Sequence, residues 1–107
     1  MTAKGDVAAP GDAYLQTKAV LATVRNILTT SGFTLADVVR TRLFVTNMVK
    51  WEDYARAHRE VFEKIRPASS MVQVAKLVDP RLVIEMEVDA ILSDNQVVES
   101  TIHYPAE

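Results

Sequence analysis

Residues 82–92 alternate between apolar and largely acidic side chains, and this pattern constrains the fold more than any other feature of the chain. Apolar residues occupy every even-numbered position, while Glu85, Glu87 and Asp89, the acidic row, lie among the odd-numbered ones. Successive side chains of a β-strand point to opposite faces of a sheet, so one face of this segment is hydrocarbon and the other is acidic. The pattern predicts a strand whose apolar face is buried beneath helices.

Two other segments carry apolar residues at spacings of three and four, the period of an amphipathic helix. The first covers residues 13–31, where Asp12 is placed to cap the start and Gly32 to end the helix in a left-handed conformation. The second covers residues 50–64 and ends before a proline, which pushes the preceding Arg66 toward extended geometry.

Two further strands are predicted over residues 38–46 and 70–77, which are rich in β-forming residues. Residues 93–96 follow the last strand as a turn, and residues 97–104 form either a weak final strand or a tail. The resulting order of elements is α-β-α-β-β. Helices that interleave with an antiparallel pair of strands favour an α+β sandwich, with an antiparallel or mixed sheet and both helices on one face.

The face of the sheet away from the helices is expected to mix charge with hydrocarbon. Alternation in the first strand places Val39 under the helices with Thr41, and Val38 on the other face with Arg40 and Arg42. Together with the acidic row, these arginines make that face too charged for a dry core. Its apolar residues make it unsuited to bare solvent, so a subunit interface with embedded ion pairs fits the mixture.

Composition narrows the classes of function. A chain of 107 residues forms one domain, with residues 1–12 as a flexible lead-in and residues 93–107 as a tail. It contains no cysteine, which excludes disulfides, thiolate metal sites and a cysteine nucleophile. A net charge of −2 gives no electrostatic reason to bind nucleic acid, and no apolar run is long enough to span a membrane. With no apolar leader visible, a cytoplasmic protein is expected.

Three groups of residues could carry chemistry, and each has a structural alternative. Arg40 and Arg42 could clamp a carboxylate or phosphate, or pair across the sheet with the acidic row. The acidic row could perform acid–base chemistry, bind a hard cation, or serve in those pairs. Ser69 and Ser70, at a helix-to-strand corner, could hold a small anion or form an ordinary turn.

The imidazole and indole side chains of the second helix are expected to be structural. His58 lies on the apolar stripe, which favours a packed histidine with one satisfied nitrogen. Trp51 begins the same stripe and is expected in the core. A triad of Ser70, His58 and Glu85 is conceivable, but no nucleophile elbow supports it.

Five segments, in order and in register, resemble the RidA/YjgF family, formerly called L-PSP endoribonucleases. They cover residues 11–17, 31–46, 51–62, 66–77 and 83–90. The resemblance implies a chorismate-mutase-like α+β fold of the bacillus type and a homotrimer with small-molecule clefts between neighbouring subunits. It also implies hydrolysis of reactive 2-imino acids to 2-keto acids and ammonia, with no metal and no organic cofactor.

The site residues of the family carry over only in part. Glu85 matches the glutamate that orients the attacking water, whereas Ser69 occupies the place of the arginine that binds the substrate carboxylate. Met71 stands where a cysteine is often found, and Ala55 matches an asparagine near the ligand in deaminating members.

Two departures from the family follow. Because a hydroxyl cannot act as a bidentate clamp for a carboxylate, Arg42 or Arg66 would have to supply the charge from another direction. The chain also starts after the N-terminal β-hairpin of family members, and a misassigned start, a trimmed chain and a true loss of the hairpin all remain open. In the last case one sheet edge is uncovered, and residues 97–104 could pair with it.

The leading hypothesis is a RidA-like trimer that hydrolyses imine or enamine metabolites to a carbonyl compound and ammonia. In it Glu85 orients water, while Ser69, Ser70 and Met71 hold the ligand. The alternative is a non-catalytic protein that binds a small metabolite in the same intersubunit cleft. Ribonuclease activity, suggested only by the former family name, is disfavoured by a pI of about 5.7. The expected partners are a small molecule and sister subunits, with neither nucleic acid nor membrane.

Overall fold

The computed structural model describes residues 7–92, which form two helices and three strands joined by turns and loops. Helix α1 spans Ala13–Thr30 and helix α2 spans Trp51–Phe62. The strands are β1 at Val38–Val45, β2 at Ala68–Gln73 and β3 at Ile84–Ala90. The order α-β-α-β-β predicted from the sequence is confirmed, while the turn at 93–96 and the segment 97–104 lie outside the described residues.

The described sheet has the strand order β2-β1-β3 and is mixed. β1 runs parallel to β2 and antiparallel to β3. Parallel neighbours need a long crossover connection, and α2 supplies it between β1 and β2. β2 ends at Gln73 rather than at the predicted residue 77, because β1 itself ends at Val45, whose carbonyl accepts from the amide of Val74 at 2.8 Å.

Both helices cover the same face of the sheet. The even-numbered residues of β3 are buried there, as the alternation predicts, and Met86 and Val88 have no exposed surface. α1 adds Val24 and Leu28 to this cluster, and α2 adds Tyr54. Since burial of hydrocarbon contributes roughly 25 cal/mol per Å², this face is the main source of the domain's stability.

The first strand contains an irregularity that its sequence does not reveal. A register shift between Val38 and Arg40 places two steps of β1 opposite one step of β3, which is the geometry of a β-bulge. The bulge reverses the faces expected for the first two residues: Val38 is 3% exposed in the core, whereas Val39 is 45% exposed. From Thr41 onward the strand follows the predicted alternation.

Within the segment predicted as a flexible lead-in, residues 7–9 contact the domain, while residues 10–12 are exposed. Val7 is buried, and the side-chain amide of Gln16 donates to two carbonyls in this segment, at 3.2 and 3.4 Å. The amide oxygen of Gln16 accepts from the backbone amides of Val83 and Ile84. A buried glutamine therefore joins the segment before α1 to the start of β3.

Both predicted boundaries of α1 are confirmed, whereas the C-terminal end of α2 differs from the prediction. Asp12 accepts from the amide of Leu15 at 2.8 Å, and Gly32 has a φ of +87° after the helix. The extended geometry expected for Arg66 is wrong, because its φ is +54°, in the left-handed region. Its amide donates to the carbonyl of Phe62 at 2.9 Å, so closing the helix end outweighs the steric preference before proline.

The longer helix, α1, has 18 residues and buries polar side chains such as Gln16 and Thr17 among its apolar ones. Within residues 7–92, neither helix combines the length and the apolar character that crossing a bilayer requires. The cytoplasmic location expected from the sequence stays a prediction.

Candidate functional site

A small pocket opens between α2 and β2. Its volume is about 180 Å³, and it is lined by three apolar residues, two serines and a histidine: Leu43, Ala55, Met71, Ser69, Ser70 and His58. Three of the residues that the sequence assigns to ligand binding, Ser69, Ser70 and Met71, therefore meet in one place.

Parallel pairing of β1 with β2 builds the floor of this pocket. Thr41 is in register with Ser69, and Leu43 follows Thr41 on the face that lies under the helices. Residues in register on neighbouring strands point to the same face, so Ser69 also turns toward α2. The helix closes the pocket with Ala55 and His58, which are three residues apart and so share one side of α2.

Three of these side chains form a hydrogen-bonded series that leads from the pocket into the core, and we refer to Ser69, Thr41 and His58 as the relay. Ser69 Oγ lies 2.7 Å from Thr41 Oγ1, which in turn lies 2.9 Å from His58 Nε2. Ser69 Oγ also lies 3.2 Å from the carbonyl oxygen of Pro67, to which it can donate. Each hydroxyl carries a single proton and can donate in either direction, so the bonds of the relay can reverse together.

Burial sets the protonation state of His58. Its ring centroid lies 4.8 Å from that of Phe62, which confirms the packed histidine predicted from the sequence. Loss of hydration lowers the pKa of His58 below its ordinary value of 6.5, because burial disfavours the imidazolium form. The imidazole is therefore uncharged at neutral pH and keeps one ring nitrogen free to accept a proton.

The open face of the sheet, opposite the helices, carries the charged residues in pairs. Arg42 lies 3.5 Å from Glu87 and 3.3 Å from Asp89, and Arg40 lies 3.6 Å from Asp89. Of the two alternatives for the arginines, the structure favours cross-strand pairing over an anion clamp. Arg42 is engaged on the face opposite the pocket of its own chain, so its part as a counter-charge for the ligand stays a prediction.

Glu85 also lies on the open face. Its neighbours Ile84 and Met86 are buried beneath the helices, so alternation along β3 turns Glu85 the other way. β1 separates β3 from β2, and Glu85 lies level with Val72 rather than with Ser69, so Glu85 and Ser69 are more than about 10 Å apart as well as on opposite faces. Within one chain, the glutamate expected to orient water does not reach the pocket.

Two residues at the ends of α2 also differ from expectation. Trp51, expected in the core, is 52% exposed, because it occupies the first helical position while Tyr54 and Ala57 fill the buried stripe. Arg66 is exposed after the helix, and its Nε donates to the carbonyl of Glu63 at 3.4 Å. It is not among the residues that line the pocket of its own chain, so its part as a counter-charge stays a prediction.

The residues of the acidic row lie along β3, as predicted, but they are not arranged as a metal site. Glu87 and Asp89 are engaged by Arg42. Among residues 7–92, no three His, Asp or Glu side chains converge where they could hold a metal ion. The chemistry that the pocket itself offers is hydrogen bonding and proton exchange through the relay.

Comparison with known proteins identifies one family. The family model described as Endoribonuclease L-PSP matches residues 1–92. The chain belongs to this family, the RidA/YjgF family. The resemblance carried by the five sequence segments is thereby confirmed.

Three RidA/YjgF relatives show the extent of the likeness. The chain is 39% identical over 84 residues to the 3-aminoacrylate deaminase RutC of Acinetobacter baylyi, covering 76% of this chain and 64% of RutC. The crystal structure of Rv2704 from Mycobacterium tuberculosis has a TM-score of 0.74 and 42% identity, covering 78% of this chain and 72% of Rv2704. That of YyfB from Yersinia pestis, of the Rid family, has a TM-score of 0.78 and 34% identity, covering 85% of this chain and 71% of YyfB. These structures share the α+β fold with two helices and a mixed sheet.

The chain spans 54% to 66% of the length of three curated relatives that it matches.

Sequence reasoning missed Thr41, the middle of the relay. A hydroxyl at a helix-facing strand position, beside Leu43, is the signal that could have found it, because a buried hydroxyl needs a hydrogen-bond partner.

Proposed function

We propose that this chain hydrolyses imine or enamine metabolites to a carbonyl compound and ammonia, with the pocket beside the relay as the substrate site. The relay is the observation that carries the proposal. It links a neutral imidazole through Thr41 to a serine hydroxyl on the pocket wall. The 39% identity to a 3-aminoacrylate deaminase supports the same class of reaction, since 3-aminoacrylate is an enamine. The proposed reaction requires no metal or organic cofactor.

Hydrolysis of an imine requires proton transfer from oxygen to nitrogen. Water adds across the C=N bond, so that its oxygen bonds to carbon and one of its protons reaches nitrogen. The carbinolamine that results then passes its hydroxyl proton to nitrogen, and ammonia leaves as the C=O bond forms. An enamine follows the same route after it tautomerises to the imine. General acid–base groups that mediate such transfers contribute about 10²–10⁴-fold to a rate.

In the proposed mechanism, Ser69 takes the proton from oxygen as its own proton moves through Thr41 to His58 Nε2. The same bonds in reverse return the proton to the substrate nitrogen. His58 suits this part because it is neutral before the step and borders the pocket. Met71 holds the ligand beside Ser69 on the same strand face, and Ser70 borders the pocket between them.

We assign Glu85 the part of orienting water for the pocket of a neighbouring subunit, because it cannot reach the pocket of its own chain. The open face mixes paired charges with exposed hydrocarbon, including Val72, which is 45% exposed. Such a mixture suits an interface between copies of the chain, as in a chorismate-mutase-like homotrimer. Analytical ultracentrifugation is expected to give three times the chain mass of 11.9 kDa, and a monomer at micromolar concentration would contradict the trimer.

The activity test follows release of ammonia and the carbonyl product from small imines and enamines generated in situ, both with and without a carboxylate group. The wild-type protein is expected to accelerate release, and Thr41→Val, which keeps the shape but interrupts the relay, is expected to lose about 10²-fold. Glu85→Gln is expected to slow release, whereas Glu87→Gln on the same strand face serves as the matched control. Circular dichroism checks that the variants are folded. Equal release with and without protein would contradict the proposal.

The second candidate is a non-catalytic protein that binds a small metabolite in the same pocket. The position of Glu85, on the opposite sheet face from the pocket of its own chain, is the observation that favours it. Binding in the pocket without any ammonia release, from either the imine or the enamine, would select this candidate.

A further inference from the structure

The six residues around the pocket share one property, the lack of a formal charge. Leu43, Ala55 and Met71 provide hydrocarbon, and Ser69 provides a hydroxyl, whereas Ser70 is in register with Arg42 and turns its side chain to the open face. The sixth residue is a histidine that burial keeps neutral. The pocket can therefore surround an apolar group and form hydrogen bonds to one polar group, but these residues provide no opposite charge for an anion.

Among residues 7–92, the arginines considered as partners for the pocket are engaged elsewhere or face another depression. The arginines of β1 pair with carboxylates on the open face. Arg66 donates back to a backbone carbonyl after α2. Arg59 lines a separate depression with Trp51, on the other side of Ala55 from the relay.

An anion in this pocket would lose hydration without gaining a charged partner. A carboxylate without a countercharge is costly to desolvate, whereas an amide, imine or ketone gives up much less hydration and can be satisfied by hydroxyl donors. The volume of about 180 Å³ is smaller than the roughly 300–1,000 Å³ typical of sites for drug-sized ligands. The pocket therefore suits a compound of only a few carbon atoms.

We infer that the pocket takes small uncharged imines, enamines or carbonyl compounds and discriminates against their carboxylate-bearing analogues. The inference rests on the proposed function, because it names the substrate class of the same pocket. The polar group of the ligand lies on the hydroxyl of Ser69, and the alkyl part of the ligand lies against Leu43, Ala55 and Met71.

A matched pair of probes tests the charge alone. Butanamide and butanoate have the same number of heavy atoms, and the amide nitrogen of the first resembles that of an enamine. In an NMR titration of the full chain, butanamide is expected to shift the signals of Ser69 and Ala55 with a dissociation constant at least about tenfold below that of butanoate. Equal affinity, tighter butanoate binding, or no shift by either probe at millimolar concentration would overturn the inference.

Placing a cation in the pocket is expected to reverse the preference. Ser69→Arg, or Met71→Lys should the first variant fail to fold, is expected to bind butanoate at least about tenfold more tightly than butanamide. Arg59→Gln is expected to change neither dissociation constant, as is its control Arg25→Gln on the exposed side of α1. Loss of butanoate binding in Arg59→Gln alone would show that a cation does serve the pocket, and would overturn the inference.

These titrations need no turnover, so the two proposals can fail separately. Preferential binding of butanamide without ammonia release would remove the hydrolase but leave the ligand class. Ammonia release from 2-iminobutanoate, together with tighter butanoate binding, would leave the hydrolase and remove the ligand class.

Discussion

The two faces of one sheet are built from the same strands and follow opposite rules. Beneath the helices, Leu43, Met86 and Val88 are at most 2% exposed and belong to a single core. On the open face, Arg42 and Glu87 form an ion pair, and their side chains are 27% and 35% exposed. Alternate residues of one strand therefore have different parts: those facing the helices stabilise the core, and those on the open face carry the charges. The pocket opens at the margin of the apolar face, where the core meets the end of the sheet.

The sharpest way to test this separation compares neighbouring residues of β3. Met86→Ala removes a fully buried side chain and is expected to lower the free energy of unfolding by about 2–5 kcal/mol. Glu87→Ala removes one partner of a partly exposed ion pair and is expected to cost no more than about 1 kcal/mol. Urea denaturation measures both, at a protein concentration low enough to dissociate the proposed trimer. Similar costs for the two variants under that condition would contradict the separation of the two faces, whereas a larger cost for Glu87→Ala that arises only at high protein concentration is expected from the trimer interface.

A smaller effect separates two acidic residues of the open face. Asp89 is 9% exposed at its side chain and lies within 4 Å of both Arg40 and Arg42, whereas Glu87 pairs with Arg42 alone. Asp89→Asn is expected to destabilise the domain by about 1–3 kcal/mol, between the values for exposed and fully buried pairs. Glu87→Gln is the control, and its smaller cost should vanish in high salt, because salt screens exposed charges. If Asp89→Asn is as stable as Glu87→Gln, the more buried position of Asp89 contributes nothing to stability, and the prediction is wrong.

Much of the fold could be predicted because hydrophobic periodicity reports it directly. Alternation over residues 82–92 identified the buried face of β3, and the capping residue Asp12 located the start of α1. The β-bulge could not be predicted, since Val38 and Val39 are chemically alike and only pairing with β3 decides which of them is buried. The role of Gln16 was missed for a similar reason. Its partners come from two distant segments.

The candidate site was predicted in part. Ser69, Ser70 and Met71 are consecutive, so one strand carries all three to the pocket. Glu85 could not be placed from spacing alone, because its distance from the pocket depends on strand order and on the face to which it turns. Thr41 escaped notice because its importance comes from contacts with two other elements.

On the apolar face, His58 is the titratable residue of the relay, and its titration is expected to have a small effect on stability. Burial lowers its pKa in the folded chain, while the unfolded chain keeps a value near 6.5. Below about pH 6.5 the unfolded chain therefore binds a proton that the folded chain does not, and the free energy of unfolding falls as pH decreases. The stabilisation is fully present above that pH and is lost toward the lowered pKa.

In urea denaturations between about pH 7.5 and pH 5, His58→Gln should show a weaker pH dependence than the wild type, because the side chain no longer titrates. His103→Gln, which removes the second of the two histidines, should leave the part of the pH dependence due to His58 in place. An unchanged pH dependence in His58→Gln would mean that the imidazole is as well hydrated as in the unfolded chain, and the neutral relay would lose its physical basis.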